Sequence, residues 1–170
     1  MIRLKNIQIG YGHCVVAEFD GDLAFAKAKF ISIIGTNGSG KSTLLRAIDS
    51  GQHLINGNVF LEDKNWTDQT AQDRSRLISI VLTERAFSYF LSVRELLELS
   101  RAPYTNYIGS LAATDQEIIN EILESFELKK IEHRRAGTLS DGQLQRVLIA
   151  RAIVQDTGYI LMDEPTSHLD

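Results

Sequence analysis

The residues with the most chemistry to offer are Gly35-Thr36-Asn37-Gly38-Ser39-Gly40-Lys41-Ser42, which fill the phosphate-binding pattern G-x-x-x-x-G-K-[ST] without a gap. Glycines allow backbone angles that a side chain would forbid, and they let amide groups converge on phosphate oxygens. Lys41 brings a mobile positive charge to the β- and γ-phosphates, Ser42 a small hydroxyl for Mg²⁺, and Thr43 a second contact to phosphate. The pattern directly follows the apolar run Phe30-Ile31-Ser32-Ile33-Ile34, which suits a buried parallel strand. It precedes Leu44-Leu45-Arg46-Ala47-Ile48, a helical run whose start near Lys41 adds its positive dipole end. By itself such a loop serves kinases, GTPases, helicases and transport ATPases alike.

A second group narrows the field. Tyr159-Ile160-Leu161-Met162-Asp163-Glu164 reads as an apolar strand ending in two carboxylates. An aspartate there can hold Mg²⁺ through water, and Glu164 can polarise an attacking water as general base. A strand followed by a solvated acidic turn has the same composition. Upstream lies Leu139-Ser140-Asp141-Gly142-Gln143, then Gln145-Arg146 and Ile149-Ala150-Arg151-Ala152. Ser140 reads as a helix N-cap, and Gly142 leaves the backbone open to an anion.

These groups need a scaffold, and 170 residues suit one domain with a real core. Hydrophobic residues at 44% and charged residues at 24% fit a soluble globular chain. A net charge of −4 provides no basic field for nucleic acid. No apolar run approaches the length of a membrane span, and Met1-Ile2-Arg3-Leu4-Lys5 reads as an amphipathic strand, not a signal peptide. Cys14 is the single cysteine, which excludes an intrachain disulfide, fits a reducing cytoplasm and reads as a half-buried thiol without a role. Residues 1 to 83 are strand-rich: Ile2, Leu4, Ile7 and Ile9 come near alternation, and Leu77 to Leu82 is a further apolar strand. Residues 92 to 155 are helix-rich. Val93, Leu96, Leu97 and Leu99 mark one helix; Ile118, Ile119, Ile122, Leu123 and Phe126 a second; Leu144, Val147, Leu148 and Ile149 a third. A strand zone interrupted by helices and then resumed predicts an α/β core with a helical insertion.

Tyr11, the phosphate loop, LSDGQ, QR, ARA, LMDEP and SHLD occur in the order and at the spacing of an ATP-binding cassette (ABC) ATPase, which the chain resembles from end to end. The resemblance implies an α/β P-loop NTPase (RecA-like) core, an N-terminal antiparallel β subdomain and an inserted helical subdomain. Residues 1–91 and 156–170 would form the nucleotide-binding core and 92–155 the helical part of a single domain. It implies ATP and Mg²⁺ as ligands, with Tyr11 stacking on adenine, although a strand-end tyrosine with a structural job is the other reading. Gly35, Thr36, Asn37, Gly38, Ser39, Gly40, Lys41, Ser42 and Thr43 would hold the phosphates, Ser42 and Asp163 the metal, and Glu164 would be the catalytic base. In that family the signature serine and glycine cap the γ-phosphate bound by a partner subunit, so Ser140, Gly142 and Gln143 inherit that role in a head-to-tail dimer. Ser167-His168-Leu169-Asp170 matches the loop linking the two sites.

The stretch Ser100-Arg101-Ala102-Pro103-Tyr104, Gly109-Ser110-Leu111 and Asp115 resembles the R-x-P-Y … G-x-L … D stretch of a subgroup that energises importers of iron–siderophore, haem or cobalamin. The implied partners are a second ATPase subunit, a multi-span permease and, indirectly, a solute-binding protein, with no nucleic acid. The implied location is cytoplasmic, peripheral on the inner face of the cell membrane. Three departures stand out. Thr83, with Glu84 beside it, takes the place of a glutamine that touches Mg²⁺ and the permease. Asp141 replaces a signature glycine, with Arg134 and Arg135 as nearby cations. The chain stops at Asp170, before a strand carrying a histidine that contacts the γ-phosphate; His168 sits too early to be that residue. A truncated chain of this kind is expected to bind nucleotide and hydrolyse it weakly. A nucleotide-binding fragment without turnover and a non-transport cassette ATPase are the alternatives.

Overall fold

The computed structural model describes residues 1–82, 88–105 and 109–165. The chain divides into two units, Met1–Ile78 and Ser79–Asp170. In the first, β1 (Ile2–Tyr11) lies between β2 (Cys14–Phe25) and β3 (Leu54–Leu61), and the short β4 (Lys64–Asn65) completes an antiparallel sheet of order β2-β1-β3-β4. Between β2 and β3 in sequence, α1 (Lys41–Ser50) packs on β1 through its buried face, which includes Leu45, Ala47 and Ile48. A single turn of helix, α2 (Ala71–Ser75), follows with a Thr70/Asp73 capping box.

The apolar positions of β1 slip by one residue between Leu4 and Ile7, and the backbone absorbs the slip. A bulge separates Lys5 from Ile7, with Asn6 in the left-handed region at φ 48, so Ile2, Leu4, Ile7 and Ile9 are all buried. The Asn6 side chain accepts a 2.8 Å hydrogen bond from the Gly21 amide, which holds the bulge. Across the sheet Gly57, at φ 90, meets the same point. A Cβ there would stand 2.3 Å from the Asn6 carbonyl oxygen, so only glycine fits.

Two expectations for this unit are corrected. Residues 30–34 form no strand: Phe30 is 97% and Ile34 93% exposed. An apolar run becomes a strand only where its backbone joins a neighbour's ladder, and none of the described strands pairs with this one. Cys14 is exposed rather than half-buried, because it opens β2 directly after the turn at Gly12.

The second unit is built around one helix. After β5 (Ile78–Val81) come α3 (Val93–Ser100), α4 (Ala113–Ser125) and α5 (Asp141–Val154), and β6 (Tyr159–Met162) then returns to pair with β5. Both α3 and α4 pack on α5. Buried residues surround α5 (Leu144, Val147, Leu148, Ala150, Ala152, Val154), the mark of a core helix rather than an amphipathic one. On α3 the expected face holds for Val93, Leu96 and Leu97, whereas Leu99 is 58% exposed, since its position turns away from the i, i+3, i+4 stripe.

The R-x-P-Y stretch does structural work inside this unit. Arg101 is buried; its Nε donates to the Asp115 carboxylate at 2.8 Å and its Nη1 to the Val154 carbonyl at 2.9 Å. Its guanidinium lies 4.2 Å over the Tyr104 ring, and the Tyr104 hydroxyl donates to the Asp156 carbonyl at 3.0 Å. One cation thus ties the end of α3 to the first turn of α4 and the end of α5. Burial pushes the Asp115 carboxyl up, but the Ala112 amide and Arg101 together hold it below its ordinary value.

Removing Arg101 leaves a carboxylate buried without its cation. Arg101→Ala is expected to cost about 3–5 kcal/mol in urea unfolding. Because the folded pKa of Asp115 is lowered, the pair contributes fully above the ordinary aspartate range and its contribution is lost as pH falls below it. The gap in stability between wild type and variant should therefore narrow on acidification. A gap that stays constant down to the acid transition would contradict this account.

Candidate functional site

In the first unit the phosphate loop leads from the irregular segment before it straight into α1. The helix starts after Gly40, which is left-handed at φ 90 and provides no side-chain cap, so no capping side chain takes up the first-turn amides. Those amides, with the positive end of the helix dipole, form a natural anion cradle. The angle is what calls for glycine here; a Cβ on Gly40 would also crowd the Val16 side chain, at 3.1 Å. Gly38 is also left-handed, at φ 80, and the Ser39 amide closes a turn onto the Thr36 carbonyl at 3.2 Å. Lys41 reaches back over the loop; its Nζ donates to the carbonyls of Gly35 at 2.9 Å and Thr36 at 2.8 Å. These bonds hold the ammonium at the loop's mouth, where an anion on the α1 amides would meet it.

Tyr11 ends β1 beside this helix. Its hydroxyl lies 3.4 Å from the hydroxyl of Thr43, which is buried in α1, while more than half of its surface is exposed. The structure adds a residue that sequence reasoning passed over. The His53 ring packs against Tyr11 at a centroid distance of 4.4 Å and an interplanar angle of 50°, and the His53 carbonyl accepts from the Gly10 amide at 2.8 Å. The contact joins two turns, after β1 and after α1, and no local pattern announces it. Tyr11, residues 35–41 and Thr43 therefore belong to one neighbourhood within the first unit.

Two clusters lie in the second unit. At the start of α5 the Ser140 hydroxyl accepts from the Gln143 amide at 3.2 Å, and the Gln143 side chain accepts from the Ser140 amide at 3.1 Å. This capping box leaves the Ser140 hydroxyl proton free to be donated outward. Gly142 sits half-buried in the same turn. Asp141 is the first residue of α5 and is exposed, so its charge faces the positive end of the helix dipole and costs little. Arg134, one of the cations expected near it, donates to the Thr138 carbonyl.

The other cluster ends β6. Asp163 is buried, and its amide donates to the Val81 carbonyl at 2.9 Å. Glu164 is exposed and left-handed at φ 47. A non-glycine residue in that region costs about 1–3 kcal/mol, a strain that collects at functional sites. Pro165 follows it, and the Glu164 carboxylate is presented to solvent on this turn. Thr83, Glu84, Ser167, His168, Leu169 and Asp170 lie outside the described residues.

Comparison with known proteins agrees with this geometry. Residues 20–167 match the family model described as ABC transporter. An uncharacterized ABC transporter ATP-binding protein of Methanocaldococcus jannaschii is 34% identical over 100% of this chain and 58% of its own length. The petrobactin import ATP-binding protein FatE of Bacillus anthracis is 34% identical over 100% of this chain and 67% of its own. The iron(3+)-hydroxamate import ATP-binding protein FhuC of Bacillus subtilis is 34% identical over 99% and 62%. This chain thus spans roughly three fifths of such relatives. Among solved structures, a dimeric bacterial ABC transporter cassette superposes with a TM-score of 0.86 at 29% identity, covering 100% of this chain and 76% of its own. A metal-chelate type ABC transporter in an inward-facing conformation superposes with a TM-score of 0.77 at 28% identity, covering 99% and 61%. The α/β P-loop NTPase fold expected from the sequence is therefore the fold observed.

Lys41→Ala removes the cation at the mouth of the loop, a charge-assisted contact worth about 1.5–3 kcal/mol. Affinity for Mg·ATP by calorimetry is expected to fall by about ten- to a hundredfold. Unchanged affinity would mean that the loop is not where phosphate binds.

Proposed function

Because the chain belongs to the ABC transporter family, we propose that it binds and hydrolyses ATP to energise a membrane importer, with an iron chelate of the siderophore, haem or cobalamin type as cargo. The observation that carries this reading is the uncapped start of α1 beneath a lysine held at the loop's mouth, a cradle for the phosphate chain of a nucleotide. Relatives named for petrobactin and iron(3+)-hydroxamate import support the choice of cargo class.

In this reading Tyr11 stacks on adenine, with His53 behind it. The amides of residues 35–43 and the Lys41 ammonium hold the phosphates. Ser42 and Asp163 carry hard oxygen donors of the kind that Mg²⁺ takes, so they would be its protein ligands; the ion, when bound, neutralises charge on the β- and γ-phosphate oxygens. Glu164 accepts a proton from the attacking water as that water's oxygen bonds to the γ-phosphorus and the bond to ADP breaks. Ser140, Gly142 and Gln143 face the γ-phosphate of a second copy in a head-to-tail dimer. Residues 1–91 and 156–170 act as the nucleotide-binding core, and 92–155 as the helical part that docks on a multi-span permease fed by a solute-binding protein. Among the described residues no helix is long and apolar enough to cross a membrane, which fits peripheral attachment to the inner face through that permease.

Glu164→Gln should leave Mg·ATP affinity intact and slow single-turnover hydrolysis by about 10²–10⁴-fold. Wild-type turnover in this variant would remove Glu164 from the reaction. Tyr11→Ala should weaken ATP and GTP alike, by about 1–3 kcal/mol, because stacking depends little on base identity. A strong new base preference would argue against stacking. For the cargo, cells lacking the gene should lose ATP-dependent uptake of a labelled ferric chelate and regain it with the wild-type gene but not with Glu164→Gln.

A further inference from the structure

We propose that Gln145 is a positioning residue for Glu164, holding the turn that aims the carboxylate; the proposal rests on the base role given to Glu164 above. Gln145 is 7% exposed, on a helix whose other buried residues are apolar. A buried primary amide in such a setting needs a partner. The Gln145 Nε2 finds one in the Pro165 carbonyl, at 3.0 Å, immediately after Glu164.

The geometry gives that one bond a particular task. The turn at Glu164 lies in the left-handed region, a conformation that persists only where its surroundings hold it. On the near side it is held by the strand ladder, through the Asp163 amide and the Val81 carbonyl. On the far side Pro165 has no N–H, so its carbonyl is the one backbone group it can offer. Gln145 takes that carbonyl from a rigid helix. The same helix begins at the Ser140 capping box, five residues earlier and about 7.5 Å along the axis. Glu164 and the signature turn are therefore referred to one rigid element, and a shift of α5 moves the base.

The test uses the full-length protein with Mg·ATP. Gln145→Met keeps length and approximate volume but removes the donor. It should lower kcat on the order of a hundredfold, the scale of a 1 Å misplacement, while KM for ATP stays within about twofold. In a Glu164→Gln background the same change should alter the residual rate by less than about twofold, because there is no base left to aim. Gln145→Glu gives an independent readout that survives if Gln145→Met folds poorly. A protonated glutamic acid can donate to the Pro165 carbonyl and an ionised one cannot, so its kcat relative to wild type should fall as pH rises. The proposal is overturned if Glu164→Gln is inactive while Gln145→Met turns over like wild type. It is equally overturned if the Gln145→Met loss recurs undiminished without the base, or if Gln145→Glu tracks wild type at every pH. Full activity in Glu164→Gln alone would instead locate the failure in the base assignment.

Discussion

The first turn of an α-helix carries amide hydrogens that the helix itself cannot satisfy. The chemistry of this protein follows from how that constraint is met at two places. At α1 the residue in the capping position is a glycine, which has no side chain to bond the first-turn amides. At α5 a serine and a glutamine close a capping box, which consumes the hydroxyl's acceptor role and leaves its proton to give. In the function proposed above, one helix start wraps phosphate and the other touches it from outside with a hydroxyl and a glycine.

Neither start would be useful if its helix could drift, and the two units anchor them differently. In the first, α1 is seated on β1 by apolar burial and closed at its far end by Gly51, left-handed and covered by Trp66, whose ring N–H donates to the Asp49 carbonyl. In the second, α5 is surrounded by apolar neighbours, which fix its depth but not its direction, because apolar packing is not directional. Direction comes from polar ties at its ends: the Arg101 guanidinium on the Val154 carbonyl, and the Gln145 amide on the Pro165 carbonyl. Both donors are buried, so each tie is costly to break.

Large apolar side chains remain exposed in both units, Phe90 and Leu99 of the second among them. Phe30 and Ile34 are almost wholly exposed, and Val15, Val16 and Phe19 of β2 are partly so. These five side chains lie in the segment leading into the phosphate loop and in an edge strand of the sheet.

Residue order alone announced the phosphate loop, the helix starting at Lys41, the N-cap at Ser140 and the strand ending in Asp163 and Glu164, because each depends on chemistry within a few neighbouring residues. Helical and strand periods were likewise readable in β1, α3 and α4, since one-sided burial imposes them locally. Other features depended on partners distant in the chain. The one-residue slip in β1 becomes a held bulge only because Gly21 and Gly57 meet Asn6 across the sheet. The run at residues 30–34 looks like a strand because its composition reports apolarity, whereas a strand also requires a ladder partner, and none of the described strands pairs with it. Arg101, read from the sequence only as part of the R-x-P-Y stretch, is a buried hub because Asp115 and Val154 come to it through the packing of α3, α4 and α5. His53 beside Tyr11 and Gln145 beneath Pro165 belong to the same class. A hydrogen bond or a ring contact between residues far apart in sequence is decided by where helices and strands come to rest, and that is a property of the packed chain rather than of any stretch within it.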